Sequence, residues 1–267
     1  MRLSVDHRTT YRFTAPQSRV VQLLRLTPGN THDQTIASWR VHVDCDARMR
    51  DGVDGFGNRV TMLYAEGPLS DIEIAVHGEV VTSHSDGVVL GVAEPLAPAL
   101  FLRATPATAA DPAIAAWAAT LAGDEPVARL HSLNTGLHAR FAVERERRGA
   151  VRAAGEVFGG KAATPRGLAQ IFCVAARSMG VPARFVSGYH LWEVDGEHRP
   201  APHGWAEAYV AGLGWIGFDP TTGMSPEETY VRVAVALDAA GAAPVAGSRL
   251  GEGAEELDVD VSVSREG

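Results

Sequence analysis

The chain has 267 residues, of which 46% are hydrophobic and 21% charged, a mixture typical of a globular protein. Lys and Arg number 24 against 32 Asp and Glu, and this mildly acidic balance argues against nucleic-acid binding, which usually requires a basic patch. The sequence has no run of 18 apolar residues and no apolar leader at its start, so it predicts no membrane span and no signal peptide. Its two cysteines have no partner motif, which excludes a disulfide framework or a cysteine zinc site and predicts a cytoplasmic location.

Residues 1–100 are predicted to form a β domain. Runs of β-branched and aromatic residues between 7 and 84 are separated by turns. One turn is DGFGN, residues 54–58, because glycine adopts positive φ at little cost. Several short antiparallel strands at this spacing predict an antiparallel β-sandwich without chemistry of its own.

Residues 101–267 are predicted to form a second, α+β domain. A connector rich in Pro and Ala precedes two helical patterns, the first with Asp111 as its N-cap and Pro112 at its first position. Near the chain end, the apolar and polar residues alternate from Leu257 to Val263 and predict a closing edge strand.

The segment from Thr164 onward predicts a helix followed by a buried strand. Thr164 is suited to the N-cap and Pro165 to the first helical position, while Gly180 and Pro182 end the helix. An apolar stripe at helical spacing runs along it, formed by Leu168, Ile171, Phe172, Ala175 and Met179.

A hairpin follows, in HGWAEAYVAGLGWIGFDPTTG, and we expect it to bring His203 and Asp219 to the same end of a sheet. A helix N-terminus beside a His and an Asp is a frame for cysteine catalysis. The helix dipole favours a thiolate at the first turn, the His takes the thiol proton, and the Asp fixes the His tautomer. Trp205 and Trp215 are interpreted as core residues.

The segments DGFGNRV, MGVPARFVSGY and HGWAEAYVAGLGWIGFDPTTG together resemble the bacterial transglutaminase-like family. These are papain-like cysteine enzymes preceded by a family-specific β domain, and the resemblance covers nearly the whole chain. It implies a papain-like fold in the second domain, with a central helix on an antiparallel sheet. It also implies that His203 and Asp219 stand at the positions of the catalytic base and its orienting acid.

The family's nucleophile motif, G-x-C-x-D-F-A-H, is not kept. Counting back without gaps from GVPARFVSGY sets Pro165 against the family's Cys, Gly167 against its Asp and Gln170 against its His. Pro165 has neither a nucleophilic side chain nor a backbone N–H for an oxyanion hole. Losing one such donor typically costs about 10²–10³ in rate.

Two residues are weighed as replacement nucleophiles. Cys173 lies about 12 Å further along the helix axis and points about 80° away from Pro165, so we interpret it as a small buried hydrophobe. Thr164 is adjacent, but as an N-cap its hydroxyl oxygen is engaged by the backbone.

Three hypotheses follow. The favoured one is a pseudoenzyme that keeps its cleft to bind a peptide, a protein or an active relative. The second is an active cysteine-protease or transamidase-type enzyme acting on amide bonds through Cys173 or Thr164. The third is a structural or assembly role. No cofactor is expected, and because His77, His84 and His190 lack metal-ligand spacing, no metal site is expected either.

Overall fold

A computed structural model describes residues 1–123, 125–144, 152–192 and 202–266. The strands in this part of the chain are β1 (Arg2–Leu24), β2 (Gln34–Val43), β3 (Ala47–Val53), β4 (Arg59–Thr82), β5 (Val88–Val89), β6 (Ala142–Val143), β7 (Ala162–Ala163), β8 (Ala183–His190), β9 (His203–Val210), β10 (Gly214–Phe218), β11 (Tyr230–Ala236), β12 (Val245–Leu250) and β13 (Glu255–Arg265). The helices are α1 (Pro112–Ala118), α2 (Pro126–Arg140), α3 (Ala154–Phe158) and α4 (Pro165–Ser178).

The first sheet is built on two very long strands, β1 and β4, which pair antiparallel along their length. The first half of β1 also pairs with β13 and its second half with β12. Correspondingly, β2 pairs with the second half of β4 and β3 with its first half. The sheet register shifts between Arg12 and Arg19, where one half of the sheet passes into the other.

This sheet corrects two expectations. A sandwich of two separate sheets was predicted, but here one continuous sheet curls so that residues of both halves, such as Tyr11 and Leu24, share one core cluster. The closing strand was assigned to the second domain, but β13 pairs with β1 in the first sheet. Because an unpaired strand edge exposes backbone donors and acceptors, the chain end covers an edge that β1 would otherwise leave open. A domain boundary near residue 100 remains a prediction.

The predicted DGFGN turn is confirmed, and it joins the two parts of the chain. The Oδ1 atom of Asp54 accepts hydrogen bonds from the N–H groups of Phe56 and Asn58, and Gly57 has φ +86°. The side chain of Asn58 then pairs with both backbone groups of Val235 in β11, at 2.8 Å each. The turn therefore fixes the first sheet against the second.

The second sheet has the strand order β11-β8-β9-β10-β5, and α4 lies against it at β8 and β9. The predicted start of α4 is confirmed, because the Thr164 hydroxyl caps the N–H of Gly167 at 3.2 Å and Pro165 is the first helical residue. At the other end, Gly180 has φ +78° and ends the helix. The stripe predicted on α4 is buried up to Ala175, and α4 packs with α1, α2 and α3.

The helix predicted after Asp111 is confirmed as α1, with the Asp111 carboxylate capping two N–H groups. The stretch expected to be a connector is more ordered than predicted. It contains 3-10 turns at Pro98–Leu102 and Pro106–Thr108, and the Phe101 side chain is buried. None of the described helices is long and apolar enough to cross a membrane.

Candidate functional site

His203 and Asp219 form a buried hydrogen-bonded pair. His203 is the first residue of β9 and Asp219 follows the last residue of β10. His203 Nε2 lies 2.6 Å from Asp219 Oδ2, and the two residues are 7% and 0% exposed. The prediction that the hairpin brings them to the same end of the sheet is confirmed. Asp219 engages Nε2, so the other ring nitrogen of His203 is Nδ1.

The carboxylate of Asp219 is held by a tight loop that α2 supports. Its Oδ1 atom accepts the N–H of Thr221 at 2.8 Å, and its backbone pairs with Met224. From α2, Asn134 donates to the carbonyl of Met224 and His138 to that of Thr221, both at 3.0 Å. These bonds fix the position of the carboxylate.

The sequence did not indicate that Tyr230 belongs to this site. Its hydroxyl donates to Asp219 Oδ2 at 2.9 Å, beside the bond to His203. Burial would by itself raise the pKa of Asp219, but the charge and hydrogen bond of His203 and the N–H of Thr221 outweigh it and lower that pKa. Burial and the Asp219 charge raise the pKa of Tyr230, which keeps its hydroxyl a donor. Asp219 is therefore a buried anion with three donors.

Aromatic rings enclose the pair. The ring of His190, the last residue of β8, stacks on Tyr230 with centroids 4.0 Å apart and lies 5.3 Å from the ring of His203. The rings of Trp192 and Trp205 lie 5.4 and 6.1 Å from that of His203. Trp205 is thus both a core residue, as expected, and a wall of the site.

The chain topology brings the start of α4 toward His203. A short turn reverses the chain between α4 and β8, so β8 runs back along the helix. Ala169 of α4 shares a buried cluster with Phe185 of β8. Phe185 pairs with Ala206 of β9, and His203 lies three residues before Ala206, in the direction of the start of the helix. At about 1.5 Å per helical residue and 3.3 Å per strand residue, Pro165 lies about 6 Å and His203 about 10 Å from that shared cluster, both in the direction of the start of the helix.

Gly167 and Gln170, which the sequence count sets against the family's Asp and His, both have close contacts within the fold. A Cβ atom on Gly167 would lie 3.2 Å from a methyl group of Val157. Gln170 is 1% exposed, and its amide donates to the carbonyl of Arg152 at 3.1 Å and accepts the N–H of Ala239 at 3.3 Å. The Gln170 side chain therefore connects two backbone segments across α4.

Cys173 lies in the core of the second part of the chain. It is 0% exposed and belongs to a cluster that includes Leu137 and Phe218. Burial raises the pKa of its thiol to about 11, although the positive charge of Arg177 opposes this. Such a thiol is protonated and shielded near neutral pH.

A buried charge network was also missed by sequence reasoning. Glu207 in β9 accepts hydrogen bonds from Arg184 and Arg232, each at 2.6 Å, and Arg184 also pairs with Glu94 at 2.7 Å. Both faces of β9 are buried, so the alternation of polar and apolar residues in its sequence did not show that Glu207 lies inside the protein.

Among the cavities lined by described residues, one lies on the first sheet and a smaller one lies beside Trp205 and Tyr230. A cavity of about 510 Å³ lies on the first sheet and is lined by arginines 19, 48 and 50. A small cavity of about 40 Å³ adjoins the pair, with Trp205 and Tyr230 among its walls.

Within the described ranges, two clusters bring three potential metal ligands within 4.8 Å of one another. One combines His190, His203 and Asp219, and the other His84, Asp86 and Glu227. Sequence spacing predicted neither, since each cluster draws on separate segments.

Comparisons with known proteins agree with this architecture. The family model for the bacterial transglutaminase-like N-terminal region matches residues 3–81, and that for the transglutaminase-like superfamily matches residues 115–220. An uncharacterised protein of Mycobacterium leprae (strain TN), ML0607, is 37% identical over 110 residues, which is 38% of this chain and 38% of the length of that relative.

Among solved structures, a Cytophaga hutchinsonii protein described as a candidate cysteine protease has a TM-score of 0.76 at 19% identity, over 100% of this chain and 92% of that one. The likeness shows a shared fold. The periplasmic domain of TgpA from Pseudomonas aeruginosa, bound to ethylmercury, has a TM-score of 0.39 at 15% identity, over 82% of this chain and 90% of that one.

Proposed function

The chain belongs to the bacterial transglutaminase-like family, and we propose that it is a member without a cysteine nucleophile that binds a peptide or protein at the site of His203 and Asp219. The observation that carries this proposal is Pro165 at the first position of α4, where the family has its Cys, together with the 2.6 Å bond that the two remaining residues keep.

The chemistry of the family explains why Pro165 matters. In cysteine-dependent acyl transfer, a thiolate attacks the amide carbon, an acyl-enzyme forms, and a backbone N–H stabilises the oxyanion. Pro165 supplies neither thiolate nor N–H. A His–Asp pair alone can orient a proton donor or acceptor, but it forms no acyl-enzyme.

The two alternative nucleophiles are poorly placed for an active enzyme. Cys173 is fully buried in the core with a raised pKa, and the Thr164 hydroxyl accepts the N–H of Gly167 as an N-cap. Activity through either residue would require α4 to begin or bend differently.

The retained groups suit recognition of an amide or peptide. Nδ1 of His203 is the ring nitrogen not paired with Asp219, and indole rings lie beside it. Aromatic walls around one oriented polar group are common in sites that bind small ligands and peptides. An active relative that carries the nucleophile would be a natural partner for such a protein.

A two-part assay tests the proposal. We expect no ammonia release from an N-blocked Gln-Gly dipeptide above the rate without protein, but saturable binding of that dipeptide by calorimetry, weakened in His203→Ala. Thr135→Ala, on the exposed face of α2, is the control and should bind as the wild type does. Ammonia release that His203→Ala abolishes would show an active enzyme, and an absence of binding would remove the recognition role.

We also propose that the protein works in the cytoplasm. Cys45 and Cys173 are both free thiols, as expected in a reducing compartment. Fractionation of cells that express the full chain from its natural gene tests this, and recovery outside the cytoplasm would contradict it.

A further inference from the structure

His190, His203 and Asp219 come from three separate segments but converge on one point. A ring nitrogen of each His and a carboxylate oxygen lie within 4.8 Å of one another. We propose that these three side chains form a binding site for a single divalent cation of the zinc class. This proposal goes beyond the proposed function, because it requires only the three side chains and holds whether or not the protein is an enzyme.

The ligand set matches the preference of the metal. Zn²⁺ binds imidazole nitrogen and carboxylate oxygen, and sites with three protein ligands leave a fourth position open for water or another small ligand. Asp219 offers a fully buried carboxylate bonded to His203, so the site can bring negative charge to a cation. The sheet register places these groups together, because Gly188, two residues before His190, pairs with His203.

The surroundings hold the ligands in place as in known metal centres. The Tyr230 hydroxyl and the N–H of Thr221 bond the Asp219 carboxylate, one at each oxygen. The Tyr230 ring also stacks on His190 at an interplanar angle of 13°. Groups that orient metal ligands in this way typically contribute about 10–100-fold to metal affinity. Tyr230 thus positions two of the three ligands.

Binding requires the distances between ligand atoms to change, since atoms as far as 4.8 Å apart would have to approach to about 3.3 Å. With metal–ligand bonds of about 2.0–2.2 Å in a tetrahedral site, neighbouring ligand atoms stand about 3.3 Å apart. His203 Nε2 and Asp219 Oδ2 are 2.6 Å apart, so the cation would replace the proton between them and widen the gap by roughly 0.7 Å.

The second cluster, His84 with Asp86 and Glu227, provides a control within the same chain. It also places three potential ligands within 4.8 Å, but the side chains of His84 and Asp86 are 68% and 87% exposed. Ligands on mobile, hydrated side chains lose more conformational entropy on binding than ligands fixed by packing. We therefore expect the buried cluster to bind first.

The test is a Zn²⁺ titration of the full chain without a polyhistidine tag, followed by calorimetry. A Cys45→Ser background removes the partly exposed thiol as a competing ligand. We expect a stoichiometry of one Zn²⁺ per chain. His190→Ala should weaken binding by at least about 100-fold, because it removes a direct ligand, whereas the matched variant His84→Ala should bind as the parent does.

A spectrum with Co²⁺ as a zinc substitute provides a second readout that needs no variant. Three protein ligands in a tetrahedral site should give the intense visible bands of four-coordinate Co²⁺ in the parent protein. Failure of the parent to bind Zn²⁺, or Co²⁺ bands of a six-coordinate hydrated ion, would overturn the proposal. So would loss of binding in His84→Ala with binding kept in His190→Ala.

Discussion

Glu207→Gln should destabilise the protein strongly, because Glu207 is the only acidic group bonded to both Arg184 and Arg232 among the described contacts. Its carboxylate is 0% exposed, and one oxygen lies 2.6 Å from each guanidinium's Nε. Glutamine keeps the shape but removes the charge. Two buried guanidinium groups would then face a neutral amide.

The size of the expected destabilisation follows from the pKa of Glu207. Burial by itself would raise this pKa, but the charges and hydrogen bonds of Arg232 and Arg184 lower it from 4.5 to about 2. At about 1.4 kcal/mol per pKa unit, the ionised form contributes about 3 kcal/mol to the free energy of unfolding at pH 7. Removing one partner of a buried ion pair independently suggests a loss of about 3–5 kcal/mol.

The destabilisation caused by Glu207→Gln should become smaller as the pH falls. Because the folded pKa is depressed, the contribution is fully present above the unfolded value of 4.5 and is lost as the pH falls toward 2. The difference between wild type and Glu207→Gln should therefore shrink from about 3 kcal/mol at pH 7 to roughly half of that at pH 3.

Urea unfolding followed by circular dichroism at both pH values measures these differences. Glu255→Gln is the control, since Glu255 pairs with Arg249 near the surface and its side chain is 46% exposed. The control should lose less than about 1 kcal/mol. A loss below 1 kcal/mol in Glu207→Gln at pH 7, or a loss that grows on acidification, would refute the reasoning.

Two further predictions concern the junction of the two sheets and the buried thiol. Asn58→Ala should lower the free energy of unfolding by about 2 kcal/mol or more, because it leaves the N–H and carbonyl of Val235 without their Asn58 partners; an unchanged urea midpoint would contradict this. In native protein at pH 8, iodoacetamide should label Cys45 and leave Cys173 unmodified, since burial raises the pKa of the Cys173 thiol to about 11. The Cys45→Ser variant should then take up no label until urea is added. Rapid labelling of this variant in its native state would indicate that Cys173 is a reactive thiol.

Local features were predicted well because their causes lie within a few residues. The start of α4 depends on Thr164 and Pro165, and its end on Gly180. The DGFGN turn depends on one Asp side chain and a glycine with positive φ. His203 and Asp219 meet because a short hairpin limits the distance between them.

Long-range pairing was less predictable. β-rich patterns indicated strands, but nothing local shows that β1 runs unbroken from Arg2 to Leu24 or that β12 and β13 return to pair with it. The pattern of a strand states which residues face a core, but several partners satisfy the same pattern. A sandwich and a single curled sheet therefore share one sequence signature.

The candidate site also combines features that the sequence predicted with features that it did not. The sequence by itself predicted Pro165 at the position of the family's nucleophile, since that depends on residue identity alone, and it predicted that His203 and Asp219 would meet. Only the tertiary structure decided that Tyr230 and His190 join them and that Glu207 lies between two arginines. The physical reason is that hydrogen bonds, ring stacking and metal coordination act over a few ångströms in space. Residues that are far apart in the chain reach those distances only after the sheets have paired.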